Sequence, residues 1–352
     1  MKVVPLNPEL EASWNDFVAR HDAALFYTSL AFRDLLSRVL DAQPHYHLAL
    51  DGDRVCGVLP AFAARHSTLG VVLNSLPYYG SNGGFVTDGR PETAQSLLAA
   101  YFHLESSLGC AASTLVSSPF DGERVEYEEG LAASFRDSRI GQVTVLPPAN
   151  LPLEDELFAL YDDTARRNVR KARKSGVIWE ARRDRAAFAF LHRTHTQNIE
   201  AVGGLPKAWA FFEAIAETVP ERYWRLYLAN SAGKPVAALL TFRFGRTVEY
   251  YTPAIIEESR PLQALPLLVH EAMREAASEG YRWWNWGGTW RSQTGVYRFK
   301  RKWGAVDMPY HYYTRINDRA VLEHARSELL DAFPQFFVLP FERLVAKSDI
   351  RA

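Results

Sequence analysis

Cysteine is almost missing from this chain: Cys56 and Cys110 are its only two among 352 residues. Two thiols exclude a disulfide framework and a cysteine-ligated metal cluster, and such usage predicts a reducing compartment. Net charge is missing in bulk as well, at -1 formally, so no global field draws the protein to DNA or to an anionic bilayer. Any anion site therefore has to be local. No apolar run reaches the roughly 20 residues of a membrane-spanning helix, and the opening MKVVPLNPELEASW has no apolar centre of the kind a secretory leader carries. Together these absences predict a cytoplasmic protein without a transmembrane segment. There is also no Walker-type phosphate loop and no nucleophile elbow. His45 with His47, and His192 with His195, share a face at strand or helix spacing, yet neither pair has a third ligand, so no metal site is predicted.

What the chain does have is apolar and aromatic substance, 47% hydrophobic and 13% aromatic, which makes an ordered globular protein, and a length that favours two domains. Residues 9 to 20 carry Leu10, Trp14, Phe17 and Val18 on one helical face, and a second helix runs from the N-cap Ser29 to Leu40. A hairpin follows, HYHLAL and VCGVLPAFAAR around a turn at Asp51, Gly52 and Asp53. Residues 67 to 86 read as loop-rich, and a helix from Pro91 to Leu108 with a strand at 113 to 117 completes this half. The order then recurs: YWRLYLAN and PVAALLTFRF flank a turn at Ser231 to Lys234, and strand TVEYYTPA, a helix from about Leu262 to Ser278 and strand YRWWNW follow. Either the chain is a distant internal duplication, or it shows the hairpin, helix, strand order that any two α/β domains share. VLPPANLPLEDEL reads as the linker between the halves. The expected domains are 1–150, 151–322 with the active site, and a docking tail at 323–352, whose apolar sequence also suits a peripheral membrane contact.

Two stretches carry concentrated chemistry. The first, Tyr281 to Ala305, holds Trp283, Trp284, Trp286 and Trp290, breaks at Gly287 and Gly288, and ends in RFKRKWG. Alternation through RFKRKW predicts a strand with Arg298, Lys300 and Lys302 on one face and Phe299, Arg301 and Trp303 on the other, a substrate-binding or a solvated edge. The second, DDTARRNVRKARKSGV, predicts a helix that stops at Gly176, with Arg166, Arg170, Arg173 and Lys174 on one cationic face and Asp162 and Asp163 complementing its dipole. That face is either a phosphate rim or plain solvated charge.

The ordered series FYTSLAF, DGDRVCGVLPAF, LPYYGSNGGF, RRNVRKARKSGV, GKPVAALLTF and GVYRFKRKWG resembles the Fem-type peptidyltransferases and their acetyltransferase-like relatives encoded with exopolysaccharide and exosortase systems. The resemblance covers nearly the whole chain, and GVYRFKRKWG is its most specific motif. It implies an α/β (α+β) fold of two tandem GNAT-like domains, each a mixed sheet flanked by helices. The implied donor is an aminoacyl-tRNA or an acyl thioester of coenzyme A or a carrier protein, with no tightly bound cofactor. The implied acceptor is nucleotide- or lipid-linked. Carried over by position, the family's Phe-Lys pair falls on Phe299 and Lys300, the lysine serving a developing oxyanion, and acceptor-phosphate contacts fall on Arg166, Arg170, Tyr78 and Tyr79. The coiled-coil arm of some members is absent between 186 and 222, and the turn SRPLQAL lacks the glycines with which acetyltransferases hold pyrophosphate, leaving Arg260 to supply charge there.

Acyl transfer to an amine needs a base, a polarised carbonyl and a proton for the leaving group. Glu249 in TVEYYTPA is the candidate base, or else a solvent-facing strand residue; Tyr297 is the candidate acid, or a packing phenol. Arg173, Trp286 and Arg298 join the substrate-binding candidates. His195, Glu200 and His270 rank below them, His270 and Glu271 being expected at the surface because the apolar face of their helix is Leu267, Leu268, Ala272 and Met273. The resulting expectation is a cytoplasmic N-acyltransferase that transfers an aminoacyl or acyl group to an amino group of a nucleotide- or lipid-linked sugar or peptide precursor of the envelope, with peripheral contact at the inner membrane face as an alternative location. Its alternatives are a coenzyme A-dependent acetyltransferase of a small amine and a non-catalytic module that binds tRNA or a nucleotide sugar.

Overall fold

The structure, a computed structural model, describes residues 1–78, 83–120, 125–290 and 292–340. In chain order it opens with β1 (Lys2–Pro5), α1 (Glu11–Arg20), α2 (Leu30–Val39), β2 (Gln43–Pro44), β3 (His47–Asp51), β4 (Arg54–Leu59), β5 (Phe62–His66), β6 (Gly70–Ser75), β7 (Val86–Thr87), α3 (Pro91–Leu108), β8 (Cys110–Val116), α4 (Val125–Glu128) and β9 (Phe135–Val145). There follow α5 (Leu153–Leu160), α6 (Asp163–Lys174), β10 (Ile178–Arg182), α7 (Arg185–Glu200), α8 (Trp209–Thr218), β11 (Trp224–Ser231), β12 (Lys234–Phe244), β13 (Thr247–Ile255), α9 (Ala264–Ser278), β14 (Trp283–Thr289), α10 (Thr294–Arg301), β15 (Val306–Asp307), β16 (Tyr310–Ile316) and α11 (Arg326–Ala332).

Contacts divide the chain into two units, the first made of Met1–Arg33, Leu40–Ile140 and the chain from Met308, the second of Asp34–Val39 and Gly141–Asp307. These limits differ from the expected 1–150 and 151–322. The break falls inside β9, because β9 up to Arg139 pairs with β16 whereas Gln142 and Val143 pair with β15. The proline-rich joint read as a linker thus lies within the second unit.

In the first unit, β1, β3, β4 and β7 form one sheet, and β2, β5, β6, β8, β16 and the first half of β9 another. The stretch expected to be loop-rich contributes β6, which pairs in parallel with β8 from Val71 to Ser75. Helix α3 crosses over between them. Its Ala94, Leu97, Leu98, Tyr101 and Leu104, at helical spacing, pack on Ala49, Leu59, Val71, Leu73 and Leu115, and Gly109 ends it in the left-handed conformation at φ 62. The glycine pair after the first-unit loop is there for close approach. A Cβ on Gly84 would lie 2.3 Å from the Tyr127 hydroxyl and 2.9 Å from Val116 O, and one on Gly83 would overlap Ser75 O. The described part of the tail docks on this unit: the Asn74 side-chain amide bonds both the N–H (2.7 Å) and the carbonyl (2.9 Å) of Phe337, whose ring stacks on Tyr312 at 4.6 Å.

The second unit runs β10-β11-β12-β13-β14 and then the second half of β9. The β11/β12 hairpin, β13, crossover helix α9 and parallel strand β14 repeat the first unit's β3/β4 hairpin, β6, α3 and β8. One face of this sheet carries α9, α6 and α5, with Val248, Tyr250, Trp284 and Trp286 packed among Leu267, Leu268, Ala272 and Val169. The other carries α7 and α8, whose Phe211 meets Tyr251. Helix α6 forms because Asp162 caps it, accepting from Ala165 N–H at 2.7 Å, while Val169 and Ala172 turn inward.

Candidate functional site

The crossover pair of each unit differs in one respect. In the first unit, β6 and β8 stay paired to the end. In the second, β13 and β14 pair only at Thr247↔Trp283, Val248↔Trp284 and Glu249↔Asn285, although β13 runs on to Ile255 and β14 to Thr289. The two strands therefore part after Glu249 and Asn285 and leave a notch between them. On its other side β13 stays paired with β12, with a bulge: Leu240 opposes Thr252 and Thr241 opposes Tyr250, so Tyr251 is the extra residue. The far end of the open edge is closed by Asn198 of α7, whose amide donates to Ile255 O and accepts from Ile255 N–H, both at 2.9 Å. Pro253, which has no N–H, lies on the same stretch.

Glu249 stands where the strands part and is buried, at 2% exposure, so the solvent-facing alternative does not hold. Its face follows from register. It opposes Phe242, whose ring lies 4.5 Å from that of Tyr251, and directly opposed residues share a face. Glu249, Asn285 and Tyr251 thus lie on the side covered by α7 and α8. Further buried polar residues follow along β14 and beside it, including Thr289, Gln142 and Thr144.

The segment RFKRKW is helical, in α10 and the turn after it, and the expected strand is corrected. Alternating aromatic and basic residues imitate a strand, but the helix places Lys300 and Trp303 inward at i, i+3 and leaves Arg298 and Arg301 exposed. Lys300 is 4% exposed. Its ammonium donates to Gly287 O and Gly288 O at 3.1 Å each and to Thr289 Oγ1 at 2.7 Å. An ammonium has three protons, and all three are given to the end of β14. Burial pulls its pKa down to about 7. Phe299 packs edge-on against Trp286, with centroids 6.1 Å apart. Tyr297 donates its hydroxyl proton to Asp307 at 3.0 Å, and that carboxylate raises the pKa of the phenol.

Several expected binding residues have other occupations. Trp286 is a core residue, 2% exposed, its Nε1 donating to Thr144 Oγ1 at 2.9 Å. Arg173 is bonded to Glu154 at 2.6 Å and Glu271 at 2.8 Å. His270 and Glu271, expected at the surface, are buried, because α5 and α6 cover the side of α9 that faces away from the sheet. The His270 Nε2 lies 2.9 Å from Glu154, its Nδ1 lies 3.3 Å from the Tyr161 hydroxyl, and burial lowers its pKa. Arg166 donates to Phe158 O at 3.1 Å and Asp163 at 2.5 Å, Arg170 lies over the Phe158 ring at 5.2 Å, and Arg260 pairs with Glu257 at 2.6 Å. Tyr78 is partly buried in the first unit, its N–H on Gln335 O at 2.7 Å, with burial pushing its pKa up to about 12. Tyr79 lies outside the described residues. The sequence reading missed Asn285 and Asn198, whose amide roles have no periodic signature, and Lys207, an isolated lysine in a loop.

Against known proteins, residues 161–301 match the model of the acetyltransferase (GNAT) domain. No curated protein sequence matches the chain. Among solved structures, FemX is similar at 14% identity with TM-score 0.70, covering 92% of this chain and 99% of FemX. A tandem GNAT protein from the clavulanic acid biosynthesis pathway is similar at 12% identity with TM-score 0.53, covering 89% and 97%. So is a C-terminal domain named for a lysylphosphatidylglycerol synthetase of Agrobacterium fabrum, at 12% identity with TM-score 0.54, covering 92% and 97%. The fold of the chain is that of tandem GNAT proteins, and its second unit carries an acyltransferase domain of the GNAT type.

Proposed function

We propose that the chain transfers an aminoacyl or acyl group to the amine of a nucleotide- or lipid-linked sugar or peptide precursor of the cell envelope, with the chemistry in the second unit. The observation that carries this is the notch between β13 and β14, with a buried carboxylate where the strands part. An extended acyl arm can lie along the open edge of β13, as an added strand lies along a sheet edge. The backbone N–H at the Tyr251 bulge is the group we assign to polarise its carbonyl, since a bulge turns a peptide out of the ladder. Glu249 takes the proton of the attacking ammonium and passes it to solvent; as the C–N bond forms and the thioester or ester bond breaks, the second proton of the amine leaves with the departing thiol or tRNA hydroxyl. Phe299 and Lys300 act by position, the lysine holding Gly287 and Gly288 where β14 ends.

The helix start that would cradle a coenzyme A pyrophosphate fits that group poorly. Ala264 and Pro266 are buried there, no glycine permits close backbone approach, and Arg260 is paired with Glu257. This supports a donor gripped elsewhere, an aminoacyl-tRNA or an acyl carrier, and the named likenesses to FemX and to a lysylphosphatidylglycerol synthetase point the same way. The test offers the protein acetyl coenzyme A, a mixture of charged tRNAs and acylated carrier protein, each with amine acceptors including nucleotide-linked amino sugars, and reads product by mass. Transfer that falls at least a hundredfold in Glu249→Gln, with donor binding kept, supports the reading. Absence of transfer from all three donors, with no donor bound, overturns it.

A further inference from the structure

Lys207, in the connection between α7 and α8, lies against the same face as Glu249. Its ammonium sits over the Tyr251 ring, 5.0 Å from the centroid. Its backbone N–H donates to His195 Nε2 at 3.4 Å, which keeps that nitrogen an acceptor and the imidazole neutral. His195 is 5% exposed and packs on Phe212, while Phe211 stacks on Tyr251 at 6.0 Å. The Tyr251 ring thus lies against the amine, and the Phe211 ring packs on Tyr251 in turn. Among the described residues no carboxylate forms an ion pair with it: the acids of α7 and α8 that pair do so with arginines, Asp184 with Arg182, Glu213 with Arg185 and Glu217 with Arg38. Burial lowers the Lys207 pKa to about 8 and no acid lifts it back.

Lys207 is half-buried, and a cation partly withdrawn from water with no counter-ion among the described residues bears part of the cost of a buried charge; positions of this kind concentrate at binding sites. The ring face of Tyr251 offsets part of that cost but cannot neutralise the charge. Tyr251 is the bulge residue of β13, two positions beyond Glu249, a separation of roughly 7 Å along a strand. A ligand with its amine at Glu249 therefore meets Lys207 with a group some bonds further along its own chain.

We propose that Lys207 is the anion-binding group of an acceptor subsite on the face covered by α7 and α8, receiving a carboxylate or phosphate that the acceptor carries several bonds from its reacting amine. The inference rests on the assignment of Glu249 to the acceptor amine. It names the acceptor as an amino sugar phosphate or a side-chain amine of an acidic peptide, and excludes simple uncharged amines as good substrates.

The experiment labels the native protein with trace acetic anhydride at several pH values and reads each lysine by peptide mass, with Lys171, Lys174 and Lys234 as internal standards. It is repeated with 10 mM glucose 6-phosphate, with 10 mM hexanoate and with glucose as the neutral control. Lys207 should titrate below the standards, and one of the two anions should slow its labelling at least fivefold while glucose does not. Protection by the phosphate arm identifies a phosphorylated acceptor, and protection by hexanoate a carboxylate. Equal labelling with and without both anions overturns the subsite. In parallel, Lys207→Met should raise the acceptor KM at least tenfold with kcat within threefold, and Lys207→Gln should repeat that result if the methionine variant folds poorly. Failure of the subsite leaves the Glu249→Gln effect intact, whereas failure of the acyl-transfer reading leaves the anion protection measurable.

Discussion

Replacing Lys300 by methionine separates two roles that its position would allow. If the ammonium is held by the three acceptors at the end of β14, its loss is a loss of stability; if it serves a substrate oxyanion, its loss is one of turnover. Two terms set the magnitude. Methionine removes the cost of a buried charge, the same cost that pulls the lysine pKa to about 7. Against this it strands Gly287 O, Gly288 O and Thr289 Oγ1 in a site where the lysine is 4% exposed. Bonds to a charged group contribute about 1.5–3 kcal/mol each, not additively, and each stranded acceptor costs about 1–3 kcal/mol. After the desolvation relief, a net loss of about 3 kcal/mol remains, comparable to breaking a buried ion pair. For a domain of roughly 150–250 residues that is a fall of about 6–12 °C in Tm. Calorimetry at pH 6, where the lysine is protonated, reads it directly. A variant that melts within 2 °C of the parent yet has lost turnover would refute the reasoning, and would mean that the ammonium leaves its three acceptors to meet the substrate.

Further outcomes follow from other contacts. Burial holds His195 at a pKa of about 3, below its ordinary 6.5; between those values the unfolded chain binds the extra proton, so this contribution to stability is full above pH 6.5 and declines as the pH falls. At pH 5 the decline is about 2 kcal/mol, and denaturant titrations at pH 7 and 5 should show His195→Gln losing less than the parent by that amount. Gly84→Ala places a methyl against the Tyr127 hydroxyl, which accepts from Phe85 N–H at 3.2 Å; a cost of about 1–3 kcal/mol is expected, and an unchanged Tm would show that the loop shifts freely. Arg173→Gln removes one of two arginines from Glu271, the other being Arg274 at 2.9 Å. It should lower stability by about 1–2 kcal/mol and leave acceptor KM within twofold, whereas a large KM change with Tm unmoved would return Arg173 to substrate binding.

How far the sequence foretold all this depends on which force set each feature. The helices at 91–108 and 264–278 were legible from their apolar spacing, and the hairpins from their turns, because local periodicity and burial agree there. RFKRKW was not, since a period of two and a period of three fit its six residues about equally and the outcome is decided by Trp303 and Lys300 both turning inward. His270 and Glu271 were misplaced because α9 is covered on two sides, and only the packing of α5 and α6 reveals the second. Glu249 was singled out as a candidate from its strand, but the parting of β13 from β14 beside it is a property of pairing between strands that no single segment encodes.

The break inside β9 bears on how the protein is made. Strand β16 pairs with both β8 and β9, yet it is synthesised after the whole of the second unit. At about 5–20 residues per second of translation, β8 and β9 wait on the order of 10–30 s for their partner to emerge. During that wait Gly141–Asp307, with the already synthesised Asp34–Val39, can fold as the second unit, while the first unit presents unfilled strand edges to solvent or to a chaperone. The nascent chain therefore completes its second unit before its first, although most of the first precedes it in sequence, and aggregation during synthesis should begin from β8 rather than from the notch.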